Sequence, residues 1–250
     1  MIIKEIKSKI NIVSNINKLT STMSMISMSK MNKYFKYLLV LDKLFIESQI
    51  IYSRIHNKKL KYNCIFIITS NKGLCGNLNN EILKKSLNFI KNNFLDIFLI
   101  GKKSIEFFSK KNIIIKEKII FKDNEKISNI FINDNIHKKI KNYKNIFFIN
   151  SKFNNKIEIL KTNLLIKKVK LKYEIFNFNK FFFIKNFFNN SLKKFFVESF
   201  FCELKSRMIT MKSASDNSKE IVKNMKILKN KIRQFKVTQE MLEIINDPNQ

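Results

Sequence analysis

Apolar residues step by threes and fours through the start of the chain: Ile3, Ile6, Ile10, Val13, Met23, Ile26, Met31, Phe35, Leu38, Leu41 and Phe45. No glycine or proline interrupts residues 1–57. That spacing predicts one long amphipathic helix, or two in series. Residues 190–245 repeat the pattern with Val197, Phe201, Leu204, Met208, Met211, Val222, Met225, Leu228, Ile232 and Phe235, and the only proline, Pro248, follows them. A helix of about fifty residues spans ~75 Å at ~1.5 Å per residue, more than the width of a small domain. Neither helix can bury its stripe on a compact core alone, so the two are expected to pair as an antiparallel coiled coil.

The texture changes between them. "CIFIITS" reads as a buried strand, "NNEILKKSLNFIKNN" as a helix, "LDIFLIG" as a second strand and "KKSIEFFSKK" as a second helix. After "NIIIKEKIIF" come a helical "EKISNIFINDNIHKKIKN", a strand "NIFFINS" and an edge strand "KIEILKTNLLI". Alternating strands and helices imply a mainly parallel sheet covered on both faces. The expected fold is therefore α/β plus a long antiparallel coiled coil, with the N- and C-terminal helices pairing around an inserted Rossmann-like α/β domain. The partition is 1–57 as the first long helix, 58–189 as the globular domain and 190–250 as the second long helix.

Composition narrows the partners. The 250 residues are 45% hydrophobic, enough for a core, and 49 Lys and Arg against 19 Asp and Glu give a formal net charge of +30. Such a charge attracts nucleic acid, anionic lipid or an acidic protein face. Lys, Asn, Ile and Phe dominate the chain, as an AT-rich genome would produce, so part of the charge is mutational bias on a solvated surface. Cys64, Cys75 and Cys202 are odd in number and widely separated, which argues for reduced thiols in a cytosolic setting. The longest aromatic stretch, "FFFIKNFF", is cut by Lys185 and Asn186, and no run approaches the ~18 apolar residues of a membrane span. The start, "MIIKEIKSKI", is charged where a signal peptide would be apolar. The chain is expected to be soluble, or at most peripheral.

Two of the three glycines, Gly73 and Gly76, fall in "TSNKGLCGN", at the end of the first strand. Loops of this kind often cradle phosphates at a helix N-terminus. The stretch carries neither G-x-x-x-x-G-K-[ST] nor G-x-G-x-x-G, so it reads as a structural turn around a small buried Cys75. His56 and His137 lack acidic partners at ligand spacing and read as surface or helix residues, and Cys75 lacks a base. Met23, Met25, Met28 and Met31 read as packing in a coiled-coil seam. No catalytic, cofactor or metal site is expected.

Three stretches, in order, resemble the gamma subunit of F-type ATP synthase. They are "KEIKSKINIVSNINKLTSTMSMISMSKMNKY", "ITSNKGLCGNLN" and "SRMITMKSASDNSKEIVKNMKILKNKIRQFKVTQEMLEII". The resemblance covers nearly the whole chain and is weakest at about residues 113–142 and 166–190. It implies a non-catalytic central-stalk rotor coupling c-ring rotation to the catalytic beta subunits. The implied partners are three alpha and three beta subunits, epsilon, delta and the c-ring, at the cytoplasmic face of a bacterial inner membrane, with membrane association indirect. Met23, Arg233, Gln234 and Thr238 would contact beta, and Tyr173 the c-ring. Gly73, Cys75 and Gly76 would form a turn that binds no nucleotide. The chain departs from the family after Glu243, where "IINDPNQ" replaces a small-residue tail. Two other readings compete: a basic coiled-coil nucleic-acid-binding protein, and an α/β enzyme using the Gly73–Gly76 turn.

Overall fold

A computed structural model describes residues 2–55, 60–111, 113–122, 129–130, 134–140, 142–165 and 179–245. Two long helices, α1 (Ile2–Ile55) and α5 (Lys180–Ile245), run without interruption. Helix α5 starts ahead of the expected Asn190: Asn179 Oδ1 accepts the Phe182 N–H at 3.1 Å and caps it. The "FFFIKNFF" stretch is thus the opening of this helix, where Phe187 and Phe188 are buried. Between the long helices lie β1 (Tyr62–Ile68), α2 (Leu78–Lys91), β2 (Asp96–Ile100), α3 (Lys102–Ser109), β3 (Glu117–Ile119), α4 (Asp134–Ile140), β4 (Tyr143–Asn154) and β5 (Lys156–Asn163). The helical reading of residues 125–142 is met by α4, and its remainder lies largely outside the described residues.

The chain forms two compact units, residues 1–28 with 207–250 and residues 29–206. Each long helix therefore contributes to both, where the sequence had suggested boundaries at the helix ends.

In the unit of residues 29–206 the strand order is β3-β2-β1-β4-β5, parallel throughout except for β5, which runs antiparallel to β4 at the edge. Asn155, at φ 59°, makes the left-handed turn between them. The run "CIFII" is continuously apolar because alternate residues feed two cores. Cys64, Phe66 and Ile68 face one; Ile65 and Ile67 face the other.

On the first face Phe66 stacks between Phe98 and Phe148, at 4.6 and 4.9 Å. Phe148 stacks on Phe195 of α5 at 4.5 Å, and Phe195 meets Phe45 of α1 edge-on at 5.3 Å. The second face is covered by Ile82 and Leu83 of α2, Phe108 of α3, and Leu38, Val197 and Phe201 of the long helices. Within this unit the long helices run antiparallel, Tyr34 against Phe200 and Tyr52 against Phe187. His137, read as a surface or helix residue, lies in α4 but is buried, 3.1 Å from Asn189 Oδ1. His56 lies outside the described residues. Among the described residues no helix is long and apolar enough to cross a membrane.

Candidate functional site

In the first unit, residues 2–28 of α1 and 207–245 of α5 form a two-helix hairpin. A seam of at least partly shielded positions runs along α1 through Ile3, Ile6, Ile10, Val13, Asn17, Thr20, Ser24 and Ser27 and along α5 through Met208, Met211, Ser215, Ser218, Val222, Met225, Lys229 and Ile232, flanked by the half-buried Ser14, Ser21, Met23, Arg207, Thr210 and Ala214. Both series alternate steps of three and four, the heptad seam of a coiled coil. Its middle is made of small polar side chains. Ser24 Oγ donates to the Met208 carbonyl at 3.2 Å, and Ser215 Oγ to Asn17 Oδ1 at 2.9 Å. Both bonds obey one antiparallel register, and polar seam residues of this kind fix register at some cost in stability.

This corrects part of the predicted stripe. Ile26, Leu228 and Phe235 face outward, with half or more of their surface exposed, as does Phe35 in the other unit. Counting apolar residues alone favoured Ile26 over the seam residues Ser24 and Ser27. The hairpin is consequently apolar on its outside as well: Ile12, Leu19, Met25, Met28, Ile209, Ile221 and Ile227 are all exposed.

Extending the register of the two hydrogen bonds brings the start of α1 opposite about residue 230. From Arg233 to Ile245 every residue of α5 is exposed, including Phe235, Met241, Ile244 and Ile245. Arg233, Gln234 and Thr238 lie on this stretch, where the Thr238 hydroxyl donates to the Gln234 carbonyl at 2.9 Å. Met23 is half-buried on α1. Tyr173 lies outside the described residues.

In the unit of residues 29–206 the glycine turn closes on itself. Asn79 of α2 donates from Nδ2 to Ser70 Oγ at 2.8 Å and to Cys75 Sγ at 3.2 Å, and its Oδ1 accepts the Ser70 N–H at 3.2 Å. Ser206 of α5 donates to the Cys75 carbonyl at 2.6 Å. Cys75 is buried, as expected of a turn residue. The left-handed positions are Leu74 (φ 63°) and Gly76 (φ 59°). A Cβ on Gly73 would meet nothing within 4 Å. Positive φ in this turn is thus taken by Gly76 and, without a glycine, by Leu74.

The strand ends that would open toward a ligand in such a sheet are likewise occupied. At the start of α3 the N–H groups of Lys102, Lys103 and Ser104 donate to Asn71 Oδ1, the Ser70 carbonyl and Thr69 Oγ1, at 3.1, 3.2 and 2.9 Å. Those are the donors a phosphate would need. Gly101 permits this closure. It has φ 98°, and a Cβ there would stand 2.1 Å from the Thr69 carbonyl oxygen. The sequence reading missed Gly101, although its place at the end of "LDIFLIG" was a signal.

The remaining thiols are inert by burial. Desolvation pushes the Cys64 thiol well up, with Asp96 adding to it, and pushes Cys202 up to about 12. Among the described residues no group of three His, Cys, Asp or Glu side chains could hold a metal ion.

The seamed hairpin of one unit and the closed strand-end crevice of the other are the context for the comparisons with known proteins. A family model described as ATP synthase matches residues 2–247. The ATP synthase gamma chain of Buchnera aphidicola subsp. Schlechtendalia chinensis is 32% identical over a 288-residue alignment, covering 98% of this chain and 97% of that protein. The chain belongs to the ATP synthase gamma-chain family. The gamma chain of Flavobacterium johnsoniae is 30% identical, covering 97% of this chain and 96% of that one. The rotor of the Euglena gracilis mitochondrial ATP synthase shares the fold with a TM-score of 0.70 at 14% identity, covering 94% of this chain and 98% of that one. The central stalk and c-ring structure of the Tetrahymena thermophila enzyme gives 0.60 at 21% identity, covering 79% and 99%. As a gamma chain it has the central-stalk role in an ATP synthase, and the reading as a nucleic-acid-binding protein is not favoured.

Proposed function

We propose that this gamma chain is the non-catalytic rotor that couples rotation of a c-ring to nucleotide affinity at the beta subunits. The observation that carries the reading is the hairpin of residues 1–28 and 207–245. Its register is held by polar bonds inside, while apolar side chains stand exposed outside. A solvated protein rarely exposes so much apolar surface, so the outside is suited to a surrounding sleeve of subunits. An asymmetric hairpin inside a near-threefold ring of alpha and beta subunits presents each beta with a different face. Differential contact then sets different affinities, and rotation exchanges them.

Arg233, Gln234 and Thr238 would hydrogen-bond loops of beta, with Met23 near an acidic loop of the same subunit. Epsilon, delta and the c-ring would complete the assembly at the cytoplasmic face of a bacterial inner membrane, with Tyr173 toward the c-ring. The closed Gly73–Gly76 turn would serve as scaffold. The test is gentle membrane solubilisation and purification through a tag after Gln250, followed by a native gel stained for ATPase activity and mass spectrometry of the band. An active band holding alpha, beta and c subunits is the expected result. Recovery of the chain alone, or with nucleic acid, would overturn the reading.

A further inference from the structure

Among the described residues, the buried side-chain oxygen without a hydrogen-bond partner is Asn150 Oδ1. Asn150 lies on β4 and is 1% exposed; its Nδ2 donates to Glu198 Oε2 of α5 at 2.8 Å and to the Ser151 carbonyl at 3.2 Å. Glu198 is 5% exposed. A carboxylate has only acceptors to offer, so an ionised Glu198 would leave the Asn150 oxygen unanswered. A carboxylic acid supplies the missing donor and keeps the acceptor already used.

The charges facing this pair are engaged elsewhere or held at a distance. From α5, Lys194 Nζ lies 3.2 Å from Asp42 Oδ1 of α1 and sits over the rings of Phe45 and Phe195, at 4.2 and 4.9 Å. From β4, Lys152 Nζ is 3.8 Å from Glu198 Oε1, beyond hydrogen-bond reach, on a side chain one-third exposed. The Cys202 thiol, one turn along α5, brings no positive charge. Burial is the largest influence on Glu198 and raises its pKa, with Asp42 adding; Lys194, the Asn150 bond and Lys152 pull the other way, and the net direction is upward.

We propose that Glu198 stands in the folded chain as a neutral acid. Its O–H donates to Asn150 Oδ1 while its other oxygen accepts from Nδ2, a cyclic acid–amide clamp between α5 and β4 that opens when the proton leaves. A carboxyl whose pKa is raised by folding contributes stability fully below the unfolded glutamate value of about 4.3. That contribution is lost as pH rises through the folded value.

Urea unfolding of the full chain between about pH 4 and about pH 8 tests the clamp, comparing wild type with Glu198→Gln and Lys152→Met. Glutamine repeats the donor and acceptor pattern without titrating. Glu198→Gln should match wild type at the acid end and exceed it at the alkaline end. The ratio of unfolding constants should widen by about tenfold per pH unit between the unfolded glutamate value of about 4.3 and the folded value, and level off above it. Lys152→Met should leave the acid-end constant unchanged. If both variants are weaker than wild type across the range, Glu198 is a carboxylate paired with Lys152 and the proposal fails. Infrared spectra of wild type with isotope-labelled glutamate give a readout that needs no variant to fold. A neutral-acid carbonyl band that persists above the ordinary glutamate value of about 4.3 supports the clamp, and carboxylate bands alone there overturn it.

Discussion

The carbonyl oxygen of Thr69 occupies the space where a side chain on Gly101 would begin, 2.1 Å from an ideal Cβ. This contact lets the start of α3 close over the end of β1, so that Ser104 N–H reaches Thr69 Oγ1. The obstacle is backbone, which cannot swing aside, and φ 98° is itself strained for any residue with a Cβ. Gly101→Ala should therefore lose about 3 kcal/mol or more. Gly73→Ala, with open space around it, should change stability by less than about 1 kcal/mol. Urea midpoints of the two variants are the check, and equal midpoints would show that the Thr69 contact relaxes freely.

Ser215 of the hairpin seam gives a second contrast. Losing its bond to Asn17 in Ser215→Ala should cost about 1 kcal/mol. Ser215→Leu restores the apolar residue a heptad pattern favours, yet should cost more, about 1–3 kcal/mol, because Ser215 is buried and a larger side chain there overpacks the seam. Thermal unfolding that ranks leucine above alanine would mean the seam is loose.

The three thiols should be silent in the folded chain. Cys64, Cys75 and Cys202 are each at most 1% exposed. At about pH 8 a thiol with a pKa near 12 is ionised in roughly one molecule in ten thousand. An aromatic disulfide reagent should label none of them on the time scale of minutes, and all three after denaturation. Rapid labelling of Cys75 would show instead that the Ser70–Asn79 bonds open readily.

At the exposed end of α5, substitution should separate folding from function. Arg233→Ala, Gln234→Ala and Thr238→Ala are expected to move the stability of the isolated chain by no more than about 0.5 kcal/mol. In an assembled complex each should slow ATP turnover by about 2- to 10-fold, the equivalent of one hydrogen bond. Steady-state ATPase rates at matched complex concentration decide it. Unchanged rates in all three would remove these residues from the proposed beta contacts.

The elements were largely legible because each has a strong local cause. The glycine-free, proline-free ends could only be long helices, and "CIFII" could only be a strand buried on both faces. The start of α5 was less so. Its aromatic stretch packs on α1 and the sheet, as Phe187 does against Phe45 and Tyr52, and such contacts leave no simple period. Helix α4 and β3 are short, and their boundaries depend on neighbours far along the chain.

For the candidate site, the sequence by itself determined that the stretch around Gly73 and Gly76 carries neither the phosphate-loop nor the dinucleotide spacing. It also determined the chain's family, through long motifs at both ends and around Gly73 to Gly76. The tertiary structure decided which face of each long helix became the seam. Ser24, Ser27 and Ser215 entered it ahead of Ile26 because two interhelical hydrogen bonds, Ser24 to Met208 and Ser215 to Asn17, fix a register that leaves Ile26 outside. It likewise decided that Gly101, not Gly73, is the glycine the fold requires. A steric conflict between residues on two adjacent strand ends exists only once the strands are side by side.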